Sequence, residues 1–105
     1  MKTALPAVTK AQSERMGLIV REIGCIACFL DTDTYHEGVI HHLLDTGRRI
    51  SHDHTICLCE GLIDHHQGND GIHRAKRKFR GKYGTDDELL ALTNWLVKTV
   101  RENTT

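Results

Sequence analysis

Apolar residues recur at helical spacing near each end of this chain, and between those two stretches the regular spacing breaks down. Met16, Ile19, Val20 and Ile23 follow the three- and four-residue steps of one helix face. Just upstream, Thr9-Lys10-Ala11-Gln12 fits a capping box, and Gly24 suits the stop, which predicts a helix over 9–23. Toward the other end, Leu89, Leu92, Leu96 and Val100 form a second stripe with Trp95 beside it, opened by a second capping box at Thr85-Asp86-Asp87-Glu88. From 25 to 70 the pattern is short, irregular and rich in Cys, His, Gly and Asp. Two strands are expected there, over 38–43 and 55–58, with a helix entering around Glu60 to His66. The basic stretch "GIHRAKRKFRGKYG" (71–84) reads as a further helix, with Ile72, Phe79 and Tyr83 available for packing. Residues 1–8, with the only proline (Pro6), read as a flexible arm, and 9–105 as a single domain. The fold class expected is α+β.

Composition sharpens this picture. Of 105 residues 39% are hydrophobic and 5% aromatic, so the core is thin. Domains of this size commonly supplement packing with a metal or disulfides. The first twenty residues hold no apolar run long enough for a signal peptide or a membrane span. A cytoplasmic protein with no membrane partner is expected, in a compartment where thiols stay reduced. Four cysteines and eight histidines then point to metal. Formal charge is zero, 14 basic against 14 acidic residues, and names no partner by itself.

Cys25-Ile26-Ala27-Cys28 is a C-x2-C knuckle, whose thiolates can both reach one tetrahedral zinc. A thioredoxin-like redox pair would sit between a buried strand and a helix, whereas this one follows a helix and precedes polar residues. Cys57-Leu58-Cys59 is a weaker knuckle, and only one of its two cysteines is expected to be a ligand. Cys59 leads toward His65 and is the better candidate. Cys57 reads as a small buried core residue. "HEGVIH" (36–41) spaces its histidines one residue wider than the H-E-x-x-H of zinc proteases, which on a helix would set them about 140° apart. Gly38, Val39 and Ile40 also disfavour a helix, so that reading fails. Two adjacent pairs remain, His41-His42 ending the first strand and His65-His66. A strand, a loop, a second strand and a ligand-bearing helix resemble the ββα-metal finger of HNH nucleases. There, one histidine of the first pair binds a divalent metal and its neighbour is the general base.

"CIAC", "IHHLLDTGRRISHDHTICLC", "DHH" and "KYGTDDELL" together resemble the phage and prophage RecA-dependent nucleases of recombination enhancement, from about Gly24 to Leu96. The resemblance implies a zinc-stabilised, HNH-like endonuclease that cuts DNA presented by a RecA filament. It implies structural zinc on Cys25, Cys28, Cys59 and His65, an active centre of His41, His42 and His66, and His52 as a nearby family position. The family closes as L-C-x2-H-H, whereas "CEGLIDHH" places five residues between Cys59 and His65, and Cys57 stands where the family tends to have proline. The fourth zinc ligand is therefore His65 or Cys57. His54 sits near the place of the HNH asparagine. His73, seven residues after His66, completes the catalytic metal site in this reading. Asp70 is the competing ligand.

"HRAKRKFRGK" (73–82) carries six Lys or Arg in ten residues: Arg74, Lys76, Arg77, Lys78, Arg80 and Lys82. Beside a nuclease site these are expected to hold the DNA backbone, joined by Arg48 and Arg49. The chemistry expected is phosphodiester hydrolysis with Mg2+, Mn2+ or Zn2+, His42 acting as base. The rival reading is a non-catalytic zinc-ribbon module that binds DNA or protein and is indifferent to His41 and His42.

Overall fold

Thr9 starts the first helix, α1 (Lys10–Leu18), by accepting the Gln12 N–H at 3.1 Å, while the Gln12 side chain accepts the Thr9 N–H at 3.0 Å. The helix continues through one π turn (Ile19–Ile23), closed by the Gly24 N–H on the Ile19 carbonyl at 2.8 Å. Gly24 then has a positive φ of 69°, and a Cβ there would collide with the His36 carbonyl. The computed structural model describes residues 5–45, 48–49, 51–61 and 64–103, of which 45, 48 and 49 by backbone alone.

A helix absent from the sequence-based expectation follows: α2 (Ile26–Thr32). Its cap is Cys25, whose sulfur accepts the Cys28 N–H at 3.4 Å, a role ordinarily filled by Ser, Thr, Asp or Asn. The knuckle is thus itself a helix start.

Strand β1 (Val39–His42) pairs antiparallel with β4 (Thr55–Leu58), His41 opposite Ile56 and His42 opposite Thr55. Between them β2 (Leu44–Asp45) pairs with β3 (Arg48–Arg49) in a separate two-stranded sheet. The core has two parts: alternation along β4 sends Ile56 and Leu58 to one and Cys57 to the other, and Cys59, just past the strand end, joins the first. Ile56, Leu58 and Cys59 join Cys25, Ile26, Cys28, Leu43, Ile72, Phe79 and Leu89. Cys57 instead packs with Ile19, Ile23 and Val97.

Among the described residues of Glu60 to His66 the expected helix does not form. Residues 62 and 63 lie outside the described residues, and 64–74 run as successive turns and bends. Asp64 accepts the N–H groups of His66 (3.1 Å) and Gln67 (2.7 Å), an arrangement that competes with helical bonding. The basic stretch becomes helical only later, as α3 (Lys76–Tyr83), which leaves His73 before the helix. The last helix, α4 (Asp86–Asn103), has its capping box, with Thr85 and Glu88 bonded at 3.1 and 3.2 Å. Its buried line is Leu89, Thr93 and Val97, flanked by Leu92 and Leu96, while Val100 is half-buried and Trp95 is 60% exposed. Among the described residues no helix is long and apolar enough to cross a membrane.

Candidate metal centres

Two clusters of ligand-type side chains form at the ends of these elements. The first gathers Cys25 and Cys28 from the start of α2, Cys59 from the end of β4, and His65 from the turn that follows. All four are buried, with ligand atoms within 4.8 Å of one another. His65 Nδ1 lies 3.0 Å from Cys59 Sγ, 3.4 Å from Cys28 Sγ and 3.5 Å from Cys25 Sγ. The Cys28 and Cys59 sulfurs are 3.7 Å apart. Zinc–sulfur bonds of 2.3 Å in a tetrahedron set sulfurs about 3.8 Å apart. Donor set and spacing therefore fit a tetrahedral ion such as zinc.

Protonation in the metal-free chain is consistent with that fit. Burial raises the Cys25 thiol, and burial with the neighbouring Cys25 raises Cys28, so both stay neutral near pH 7 until a cation ionises them. Burial lowers the His65 pKa despite the opposing pull of Asp31. Its outer nitrogen, Nε2, donates to the Tyr83 hydroxyl at 3.0 Å, and that hydroxyl donates to Asp31 Oδ2 at 2.6 Å. Because the carboxylate only accepts, this chain of bonds fixes the proton on Nε2 and turns the Nδ1 lone pair toward the sulfurs. The sequence-based reading gave Tyr83 only a packing role and Asp31 none. The "KYG" motif was the available signal for the first, and the second came without one. Cys57 lies in the other core cluster, its thiol pushed up to about 12 by burial.

The second cluster is His41, His66 and His73, again within 4.8 Å. His66 Nε2 is 3.1 Å from His41 Nδ1 and 3.0 Å from His73 Nε2. His66 Nδ1 faces Glu60 Oε2 at 3.3 Å and donates to it, which leaves the Nε2 lone pair facing the other two rings. Burial, then His66 and His73, push the His41 pKa down to about 4, and burial lowers His73 as well. The lowered His41 and His73 favour the neutral imidazole form that a divalent cation requires. His73 reaches His66 through the turn, its N–H on the His66 carbonyl at 3.2 Å, and not through a shared helix. Asp70 pairs with Lys78 at 2.8 Å and stands outside the cluster.

The family model for recombination enhancement, RecA-dependent nuclease, matches residues 8–98. The chain belongs to that family. No curated protein and no solved structure matches it.

In this RecA-dependent nuclease family member, the strand-end pair splits between two faces. His41 turns to His66 and His73, whereas His42 Nε2 meets His52 Nδ1 at 3.0 Å. His54 bonds Ser51 Oγ at 2.8 Å, and the backbone carbonyl of His36 accepts the Cys25 N–H at 2.8 Å. The basic run is divided too. Lys76 and Arg80, one helical turn apart, line a cavity of about 150 Å3 together with His41, His73 and Asp86, and Arg80 pairs with Asp86 at 3.1 Å. Lys78 and Lys82 face away and pair with Asp70 (2.8 Å) and Asp31 (3.6 Å). Arg74 and Arg77 are exposed. The Arg48 and Arg49 side chains lie outside what is described.

Proposed function

We propose that the chain is a metal-dependent DNA endonuclease of HNH type, acting in the bacterial cytoplasm on DNA that a RecA filament presents. The observation that carries this reading is the convergence of His41, His66 and His73 within 4.8 Å, with His42 next in sequence on the same strand. The antiparallel β1–β4 pair followed by α3 supports the ββα kinship, with the Cys25, Cys28, Cys59 and His65 cluster holding structural zinc behind it. Membership of a RecA-dependent nuclease family supports the partner and the reaction class.

His41, His66 and His73 would hold the catalytic cation, which supplies charge stabilisation at the phosphate and at the leaving 3′ oxygen. His42 takes a proton from the attacking water. The new P–O bond forms as the bond to the 3′ oxygen breaks, and that oxygen leaves with the electron pair and is protonated from solvent. A histidine base suits neutral pH. The phosphodiester would bind at the strand end, between the His41 cluster and His42. Lys76 and Arg80 line the adjoining cavity and bind the backbone anion.

The test is to incubate the zinc-loaded protein with DNA, with and without a RecA filament, in Mg2+, Mn2+ and Zn2+. Cleavage is expected with the filament and one of these ions, and none by His42→Ala. An inert wild-type protein that still binds DNA would favour the non-catalytic zinc module.

A further inference from the structure

His52 lies outside both metal clusters, yet its ring is bonded at both nitrogens. Nδ1 is 3.0 Å from His42 Nε2, and Nε2 is 2.9 Å from the carbonyl oxygen of Pro6. The two rings meet edge to face, with centroids 5.2 Å apart. A carbonyl can only accept, so His52 Nε2 carries a hydrogen and donates it to Pro6. In neutral His52 the other nitrogen, Nδ1, is then the acceptor. His42 must therefore donate from Nε2, and in neutral His42 the lone pair sits on Nδ1. The Pro6 oxygen thus stands at the end of a bonded series that runs through both rings.

We propose that His52 is a positioning residue that holds His42 in the Nε2–H tautomer and aims its Nδ1 as the proton acceptor, and that Pro6 is the anchor which sets this relay. The inference rests on the reading of His42 as the base. When the water proton moves to His42 Nδ1, the Nε2 hydrogen stays in place on His42 and its bond to His52 Nδ1 strengthens, because the donor ring is then cationic. His52 itself neither gains nor loses a proton. The surroundings hold the relay in register. The Thr55 hydroxyl donates to the His52 carbonyl at 3.0 Å, and the Asp53 N–H donates to Ser51 Oγ at 3.0 Å, so the 51–55 turn fixes where the His52 ring emerges. Orientation by a second imidazole resembles the way outer partners fix metal-ligating histidines, whose loss typically costs about 10–100-fold in activity.

The experiment combines kinetics with nitrogen-15 spectra of histidine-labelled full-length protein, the His42 signals being assigned by their loss in His42→Ala. In the wild type, His42 is expected as the Nε2–H tautomer. His52→Ala should convert it to a mixture and lower kcat about 10–100-fold with KM for DNA unchanged. His52→Asn, whose side-chain oxygen can stand where Nδ1 stood, should restore the tautomer and recover most of that loss. A His42 carrying its hydrogen on Nδ1 in the wild type would overturn the proposal, as would full kcat and an unchanged tautomer in His52→Ala. The base reading is tested separately. If His42→Ala still cleaves, that reading fails, while the spectra continue to report whether His52 sets the tautomer.

Discussion

Tyr83 illustrates how much of the Cys25, Cys28, Cys59 and His65 cluster depends on a residue outside it. Its hydroxyl accepts from His65 and donates to Asp31, and burial followed by that carboxylate raises its pKa above the usual phenol range. Tyr83→Phe keeps the ring against Phe79 (centroids 4.8 Å apart) but frees His65 to turn. Zinc affinity in chelator competition should fall by roughly 10-fold or more. Unchanged affinity would mean that packing alone orients His65. Within the strand-end pair, the two alanine variants should fail differently. His41→Ala should regain part of its cleavage in excess divalent metal, because it has lost a ligand. His42→Ala should stay inactive at every metal concentration while binding DNA as before, since a base acts on the transition state and little on binding. Equal rescue of both variants would remove the distinction between ligand and base.

Helix α3 presents two faces that the charge run concealed. Positions 76 and 80 share a face, whereas 78 lies about 200° around from 76. Lys76 and Arg80 border the histidine cavity, and Lys78 is engaged by Asp70. Substituting Lys76 and Arg80 together should flatten the log-affinity against log-salt slope by about 1.4–1.8, two contacts at 0.7–0.9 each. The Arg77, Lys78 pair should change it less. The reverse order would place DNA on the other face. At α4, Thr85→Ala removes the cap and should cost about 1 kcal/mol in denaturant unfolding.

Both end helices were legible because capping boxes and apolar periodicity are local signals, and Thr9, Gln12, Thr85 and Glu88 all bond as that chemistry requires. Strands β1 and β4 were legible within a residue or two, whereas the short pair β2 and β3 was not expected. Helix α2 was not, because a cysteine sulfur caps it. The turn from Asp64 to Arg74 was not either, because Asp64 draws its neighbours' N–H groups out of helical bonding. The meeting of His73 with His66 and the bond from His52 to Pro6 are contacts across turns and distant segments, which spacing along a chain does not encode.

For the molecule as a whole, the cluster of Cys25, Cys28, Cys59 and His65 joins three segments: the start of α2, the end of β4 and the turn after it. A structural zinc contributes roughly 10–16 kcal/mol in small folds, against a usual domain margin of about 5–15 kcal/mol. Stripping the metal, or Cys25→Ser, should therefore unfold the domain by circular dichroism. A metal-free chain of unchanged melting temperature would refute this. A second tie is buried Arg15, which donates to the Thr55 hydroxyl (2.7 Å), the Thr55 carbonyl (3.2 Å) and Asn94 Oδ1 (2.7 Å), joining α1, β4 and α4. Arg15→Met should cost about 4 kcal/mol or more in denaturant unfolding, since three bonds to a charged group are lost at about 1.5–3 kcal/mol each. That tie, like the packing of Ile19 and Ile23 on Val97, joins the beginning of the chain to its end. A ribosome delivers the chain in one direction at about 5–20 residues per second, so the first helix waits roughly 4–15 s for its partner. During that interval its apolar face is exposed, a natural substrate for chaperones. A nascent chain stalled with residue 85 just outside the exit tunnel already carries Cys25, Cys28, Cys59 and His65 but lacks α4. It should take up zinc and still be cut by protease within α1, and it should become resistant there only once Val97 has emerged.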